Sequence, residues 1–303
     1  MKQESFFSKV WRVFTPLAAY YVLQIIATIG VCTVFAMKFV GQADLTSASL
    51  DSIYQSMMRS VLNSILDISF WCTVFSAAAV IPILLLFRKK DQRRADQMGR
   101  RTYYTRPGPE AYLIFLALAC AASLAGNNMM MLSGLLRGME SLTDVAVLSQ
   151  SVVMILFGMG ILSPVAEEMI FRVVMYDRVR EYMRPLYAGI LTSLLYASLH
   201  AGPVQMVYAF LMGSLFSYAY EKTHCWAVPV LMHVGANMME ILLTETDLFR
   251  FMFASRIQLI GTTLIGCVAV VVMVYLSELK IKTLEISETA AVVSADSQEQ
   301  EEA

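Results

Sequence analysis

Long runs of apolar residues constrain the fold of this chain more than any other feature. A helix that crosses a bilayer needs roughly 20 mostly apolar residues, and the sequence supplies that length several times. Of the 303 residues, 57% are hydrophobic and only 16% are charged. A soluble domain usually carries about a quarter charged residues. We therefore predict an all-α fold, namely a polytopic membrane helix bundle.

The apolar runs define about eight candidate transmembrane helices. These cover approximately 14–37, 68–87, 111–132, 145–165, 186–200, 204–220, 226–243 and 257–276. We assign 1–283 to a single membrane domain. The remaining segment, 284–303, is rich in Glu, Ser and Ala without apolar periodicity, and we expect a disordered acidic tail there.

Basic residues predict how the chain is oriented in the membrane. Eight of the 23 Lys and Arg residues lie between Arg88 and Arg106, which separate the second and third spans. Positively charged loops stay on the cytoplasmic side during insertion, so an even number of spans places both termini in the cytoplasm. The net charge of −1 does not point to nucleic acid. We expect no nucleic-acid partner.

Ionisable residues gather in the second half of the chain, where apolar runs surround them. Charge inside a membrane helix is costly, so such residues are candidates for function. Glu168 and Arg172 are four residues apart and can pair on one helix face, while Glu167 points about 100° away from that face. The alternative is a charged helix end at the lipid headgroups, with the arginine side chain extended to the surface.

Two further polar elements follow on later spans. His200 ends the fifth apolar run, where it could equally be a core histidine bonded to a carbonyl. His233 and Asn237 lie four residues apart on one face of the seventh span, where they could instead hydrogen-bond between helices. A carboxylate with a histidine can activate water, and a second histidine with an amide can stabilise an oxyanion. The combination suits water attack on an amide carbonyl, and neither GxSxG nor HExxH is present.

With these motifs the chain resembles the CPBP family, the CAAX-protease and bacteriocin-processing group, also called ABI-type membrane proteases. That family carries EExxxR, FxxxH, a small-residue motif and HxxxN on successive helices. Here EExxxR is Glu167, Glu168 and Arg172, and HxxxN is His233 and Asn237. The second motif has Tyr196 in place of phenylalanine, followed by His200. The third motif is partial, with Phe210 and Gly213 present and Ser217 in place of a glycine. The motifs lie within 152–243.

The resemblance implies an intramembrane endopeptidase that hydrolyses a peptide bond of a membrane-associated protein or peptide. In the family view Glu167 and His200 activate water, and His233 and Asn237 stabilise the oxyanion. Glu168 and Arg172 support this first pair. The expected location is the bacterial inner membrane, as a multi-pass protein. The substrate, the cleavage site and the oligomeric state are not indicated.

Two alternatives remain open at this point. One is a zinc-dependent version of the same protease, with Glu167, His200 and His233 as metal ligands and water in the open position. The other is a non-catalytic membrane scaffold or regulator that retains the protease fold. No cofactor is required by the first hypothesis.

The predicted spans pose a geometric problem for the proposed site. His200 would lie about 20 Å along its helix at ~1.5 Å per residue, whereas Glu167 falls near the end of the fourth predicted span. The two can meet only if the fourth helix continues past Arg172 or the fifth begins deeper in the membrane.

Overall fold

The computed structural model describes residues 5–42, 50–98, 107–133, 151–200, 202–245, 252 and 254–301. The helices are α1 (Phe6–Gln42), α2 (Leu50–Gln97), α3 (Pro109–Ser133), α4 (Val152–Arg180), α5 (Pro185–Ala197), α6 (Pro203–Thr223), α7 (Ala227–Glu245) and α8 (Arg256–Glu301). Each predicted span overlaps one of these helices. The chain is a polytopic helical bundle, as its apolar runs predicted.

Within the described residues, five helices, α1 to α4 and α8, contain segments that are long and apolar enough to cross a membrane. The outer helices expose apolar side chains. On α1, Ile25 and Ile29 are 60% and 63% exposed, and on α8 Val271 is 69% exposed. Exposure of such apolar surfaces to water would cost free energy, whereas contact with lipid acyl chains does not. The protein is accordingly a multi-pass membrane protein.

Helix α4 lies at the centre of the bundle and contacts α1, α2 and α7. Two of its segments, Leu156–Leu162 and Met169–Tyr176, are π-helical, and they flank the α-helical turn Ser163–Glu168. Every residue from Met169 to Tyr176 is buried. π-Helical turns are rare and are frequent at functional sites. The two glutamates of α4 therefore lie between two segments of a kind that often occurs at functional sites.

Helices α4 and α8 are among those that extend further than the sequence predicted. Helix α4 continues to Arg180, whereas its apolar run ended near Val165, because Glu168, Arg172 and Arg178 beyond that point are buried and paired. Helix α8 continues to Glu301, beyond the end of the predicted eighth span. Ala, Glu and Gln have high intrinsic helix propensity. The division into membrane domain and tail stays a prediction.

A group of ion pairs, which we call the charged clamp, joins the ends of three helices. It consists of Arg12 on α1, Asp91 on α2, Arg178 on α4 and Glu181 just after α4. Arg12 lies 3.0 Å from Asp91 and 2.7 Å from Glu181, and Arg178 lies 2.7 Å from Asp91. The clamp fixes α1 and α2 against one end of α4.

The remaining helices enclose the polar part of α4. Helix α5 packs along α6, and α7 packs along α3 and beside α4. A tight turn after α5 brings the chain back into α6, where Gly202 has φ 83°, a conformation that favours glycine. Pro203 then begins α6, where its fixed φ suits the first helical position.

Candidate active site

The carboxylate of Glu168 lies at the centre of a buried polar cluster. Arg172 donates from Nη1 to Glu168 Oε1 at 2.8 Å, and His233 Nδ1 lies 2.8 Å from the same oxygen. Glu168 and Arg172 are completely buried and His233 is 4% exposed. The pair that the four-residue spacing predicted is therefore present, and it also connects α4 to α7. A buried carboxylate retains its charge only with such partners.

The guanidinium of Arg172 fills a space between α5 and α6. Its Nη2 donates to the backbone carbonyl of Gly213 at 2.8 Å. The rings of Tyr196 and Phe216 lie 4.8 and 5.4 Å from its central carbon, within the range of cation–π contact. A Cβ at position 213 would come within 2.8 Å of Nη2. The glycine of the small-residue motif thus leaves room for the buried cation.

The ring of His233 is held by a stacked aromatic ring and by polar contacts at both nitrogens. Phe216 stacks on it at 5.0 Å with an interplanar angle of 26°. Its Nε2 lies 3.3 Å from the hydroxyl oxygen of Tyr196 and 3.9 Å from Glu167 Oε2. The latter distance exceeds that of a direct hydrogen bond but brings the second carboxylate of the motif beside the histidine.

The two adjacent glutamates occupy different surroundings. Glu167 is 23% exposed, and its Oε1 accepts a hydrogen bond from Ser163 Oγ at 2.6 Å. Glu168, in contrast, is fully buried and bound on Oε1 by a cation. This difference follows from the 100° rotation between neighbouring helical positions. One carboxylate is thus fixed by the bundle, and the other remains accessible at its edge.

Asn237 lies one turn beyond His233 on α7. Its Nδ2 donates to the carbonyl of Met159 at 3.0 Å, and Met159 belongs to the first π-helical segment of α4. An asparagine amide has two N–H donors, so one of them remains for another acceptor. The HxxxN face of α7 therefore points towards α4.

His200 lies in the turn after α5 rather than on the helix itself. Its Nδ1 is 3.2 Å from the carbonyl of Tyr196, and its ring packs edge-on against the Tyr196 ring at 4.8 Å. A carbonyl only accepts, so Nδ1 carries a proton, and in the neutral form of the ring Nε2 carries the lone pair. Between the described side chains of Glu167 and His200 there is neither a hydrogen bond nor an ion pair. The proposed water-activating pair is thus linked here only through Tyr196 and His233.

The three residues considered as zinc ligands, Glu167, His200 and His233, do not converge. Zinc is held by three or four protein ligands at about 2.0–2.3 Å. Among the described residues, no three His, Cys, Asp or Glu side chains are grouped so as to hold a metal ion. The described side chains therefore do not form a zinc site as they stand.

Several side chains of the cluster were not singled out as functional from the sequence. Ser163 lies four residues before Glu167, so its helical position could have been noticed. Tyr196 was identified only as a substitute for phenylalanine, and its hydroxyl was not considered. Phe216 carries no sequence signal, because its contact with His233 joins helices that are separate in the chain.

Comparison with known proteins agrees with the motifs. Residues 149–239 match the model of a family described as "Type II CAAX prenyl endopeptidase Rce1-like". The chain is 24% identical over 178 residues to "Putative membrane peptidase YdiL" of Bacillus subtilis (strain 168), covering 57% of this chain and 70% of that protein. No solved structure matches the chain. The matched segment contains the motif residues from Glu167 to Asn237, and the resemblance of this chain to the CPBP family of membrane proteases is thereby confirmed.

Proposed function

We propose that this protein is an intramembrane endopeptidase in which a glutamate-activated water hydrolyses a peptide bond. The observation that carries the proposal is the buried cluster in which Glu168 is hydrogen-bonded to both Arg172 and His233, with Glu167 beside them. Burial of two charges costs several kcal/mol per ion before pairing. A membrane scaffold can fold without buried ionisable groups, whereas hydrolysis of a peptide bond within a membrane requires them.

In the proposed reaction a water molecule lies between Glu167 and the scissile carbonyl. Glu167 takes one proton from the water as the water oxygen forms a bond to the carbonyl carbon. The carbonyl π electrons move to its oxygen and create an oxyanion. The oxyanion electrons then re-form the carbonyl as the C–N bond breaks, and Glu167 gives its proton to the leaving nitrogen, so that a carboxylic acid and an amine are released. His200, with the lone pair on Nε2, is a second acceptor for the water proton.

The oxyanion needs donors that are fixed in place before the reaction. We assign this role to His233 and Asn237, which lie on one face of α7. Asn237 retains a second amide N–H beyond its bond to Met159. Glu168 and Arg172 hold the His233 ring in place. Loss of one fixed donor of this kind typically slows turnover by ~10²–10³-fold.

The substrate is proposed to be a membrane-associated peptide or protein, because the site lies within a bundle whose outer surface is apolar. The similarity to a prenyl endopeptidase family fits that class but does not identify a sequence. A zinc-dependent protease and a non-catalytic scaffold remain the alternatives. No contact in the described residues favours either one.

Comparative peptidomics tests the proposal directly. Cells that produce the wild type or Glu167→Gln are compared for peptides whose termini depend on the wild type. Glutamine keeps the shape and the acceptor for Ser163 but cannot take a proton, so such peptides should disappear. The matched control is Glu110→Gln, a carboxylate 66% exposed at the start of α3, which should leave them unchanged. Wild-type peptide levels in the Glu167→Gln cells would exclude hydrolysis as the function.

We further propose that the protein resides in a bacterial inner membrane with both termini in the cytoplasm. The basic residues of α2 from Arg88 to Arg94 support this orientation. A green fluorescent protein fused to either terminus should fluoresce, while alkaline phosphatase fused there should be inactive. The opposite result at both termini would invert the proposed topology.

A further inference from the structure

A cavity of about 260 Å³ lies between the ends of α2, α4 and α6. We call it the arginine cavity, because its lining includes Arg88, Arg94, Arg178 and Arg180. Its volume far exceeds the roughly 10–15 Å³ that one water molecule needs. None of the motif residues lines it. The proposed peptide hydrolysis therefore does not account for this cavity.

The arginine cavity lies where the apolar segments of the bundle end. The apolar run of α2 ends at Phe87, directly before Arg88, and the apolar span of α4 ends at Arg180. The exposed ring of Trp226 lies 5.8 Å from the central carbon of the Arg88 guanidinium, and Tyr182 is exposed just beyond α4. Tryptophan and tyrosine are enriched where a membrane meets water. These positions place the cavity at the level of the lipid headgroups.

Two of the arginines keep hydrogen-bond donors that the described part of the chain does not use. Buried Arg178 donates from Nε to Asp91 and from Nη1 to the backbone carbonyl of Arg12. An arginine has five N–H donors, so three of those on Arg178 have no acceptor among the described residues. Arg180 donates three of its five. A shielded donor without an acceptor is unfavourable, so an acceptor inside the cavity would stabilise the protein.

The charges around the arginine cavity favour an anion. Its lining also contains the four carboxylates of Asp91, Asp177, Glu181 and Glu221. Arg12 pairs with two of these, Asp91 and Glu181. Five arginines therefore share four carboxylates, and His224, which also lines the cavity, can only add positive charge. A group with one negative charge would balance this excess.

Phosphate is the anion whose geometry suits these side chains. Its oxygens accept two parallel N–H bonds from one guanidinium, and arginine is therefore common at phosphate sites. Next to the cavity, Leu85 and Leu86 of α2 are exposed one turn before Arg88. They offer an apolar surface to acyl chains that are attached to the phosphate. A lipid thus meets contacts there that a free phosphate ion lacks.

We propose that the arginine cavity binds the phosphodiester headgroup of an anionic phospholipid from the surrounding bilayer. Basic pockets between transmembrane helices bind lipid headgroups in this way. The bound phosphate joins the ends of α2, α4 and α6, in addition to the ion pairs of the charged clamp. This inference does not rest on the proposed function.

Thermal unfolding of the full-length protein in a non-ionic detergent tests the proposal. Phosphatidylglycerol, a diacylglycerol with the same acyl chains, and inorganic phosphate are added separately. A ligand that binds only the folded state raises the unfolding temperature, and phosphatidylglycerol at a hundredfold excess over its Kd should raise it by roughly 5 °C. The other two compounds should not. An equal shift with diacylglycerol would overturn the headgroup site, and an equal shift with inorganic phosphate would overturn the lipid assignment.

Arg94→Gln and Arg93→Gln form a matched pair of variants. The two arginines are neighbours on α2, but Arg94 lines the cavity whereas Arg93 is exposed outside it. Both substitutions remove one positive charge from the same part of the surface. Arg94→Gln should weaken phosphatidylglycerol binding by about tenfold, because a hydrogen bond to a charged group is lost, while Arg93→Gln should bind as the wild type does. Equal weakening by both variants would overturn the site.

Native mass spectrometry of the wild type gives a second measurement that needs no variant. One phosphatidylglycerol molecule should stay bound at collision energies that remove the diacylglycerol and every further lipid. A wild-type protein that retains no phosphatidylglycerol under those conditions would contradict the proposal, whatever the stability of Arg94→Gln.

Discussion

Arg172 on α4 donates a hydrogen bond from Nη2 to the backbone carbonyl of Gly213 on α6, at 2.8 Å. This contact links the EExxxR motif to the small-residue motif, which follows 41 positions later. The guanidinium approaches the α6 backbone this closely because residue 213 has no side chain. The cation that neutralises Glu168 therefore depends on a glycine in another helix.

Substitution of Gly213 should disturb the buried cluster. In Gly213→Ala the new Cβ would lie 2.8 Å from Arg172 Nη2 and 3.0 Å from the Tyr196 ring. Both neighbours are fully packed, so we expect a loss of stability of about 1–3 kcal/mol. The protease activity should fall with it. Chemical unfolding in detergent micelles and the peptidomic comparison measure the two effects.

Gly261→Ala is the matched control for this variant. Gly261 also lies in a helix, but nothing is found within 4 Å of a Cβ built there. Alanine is favoured over glycine in a helix by up to ~1 kcal/mol, so this variant should be neutral or more stable. Equal stability of the two alanine variants would contradict the close contact between Arg172 and Gly213.

Removal of the Arg172 charge should destabilise the protein strongly. Arg172→Met leaves the fully buried carboxylate of Glu168 without its cation, and a broken buried pair of this kind typically costs about 3–5 kcal/mol. The double variant Glu168→Gln/Arg172→Met removes both charges and should recover part of that loss. Chemical unfolding of the wild type, both single variants and the double variant gives the coupling energy. A double variant whose loss equals the sum of the two single losses would show that the charges are not coupled.

The charged clamp should contribute more to the free energy of unfolding than an exposed ion pair does. Asp91→Asn removes the charge that pairs with Arg12 and Arg178, and a loss of about 1–3 kcal/mol is expected because these side chains are largely shielded from water. Glu110→Gln serves as the comparison, because its carboxylate is 66% exposed where it meets Lys280. That variant should leave the unfolding midpoint unchanged. Equal midpoints for both variants would mean that the clamp adds no stability.

Chelation separates the two protease hypotheses. If Glu167 activates water without a metal, purified protein treated with 1,10-phenanthroline should retain its peptide cleavage, and metal analysis should show no stoichiometric zinc. The peptide used is one identified by the comparison of wild type with Glu167→Gln. Loss of cleavage that added zinc restores would favour the zinc-dependent version.

The sequence predicted the helical membrane fold well, because a bilayer imposes a simple requirement on length and apolarity. It also predicted the pairing of Glu168 with Arg172 and the shared face of His233 and Asn237, since both depend only on helical spacing. The end of the fourth helix was predicted too early. Its continuation to Arg180 depends on buried partners for charged residues, and apolar runs carry no information about those.

In the candidate site, too, the sequence predicted some features and not others. The motif residues could be named from the sequence, but the proximity of Glu167 to His233, and the absence of a direct bond to His200, could not. Those relationships depend on two π-helical segments and on the way in which α4 and α7 meet. Neither has a local sequence pattern, since each arises from packing between distant parts of the chain.

The sequence by itself determined the membrane bundle and the spacing of its motifs, because these follow from the solvent and from helix geometry. Only the tertiary structure decided that Glu168 is fixed while Glu167 is accessible, and that the hydroxyl of Tyr196 faces His233. The reason is that burial and hydrogen-bond partners are supplied by other helices, whose approach is set by side-chain packing across the whole bundle.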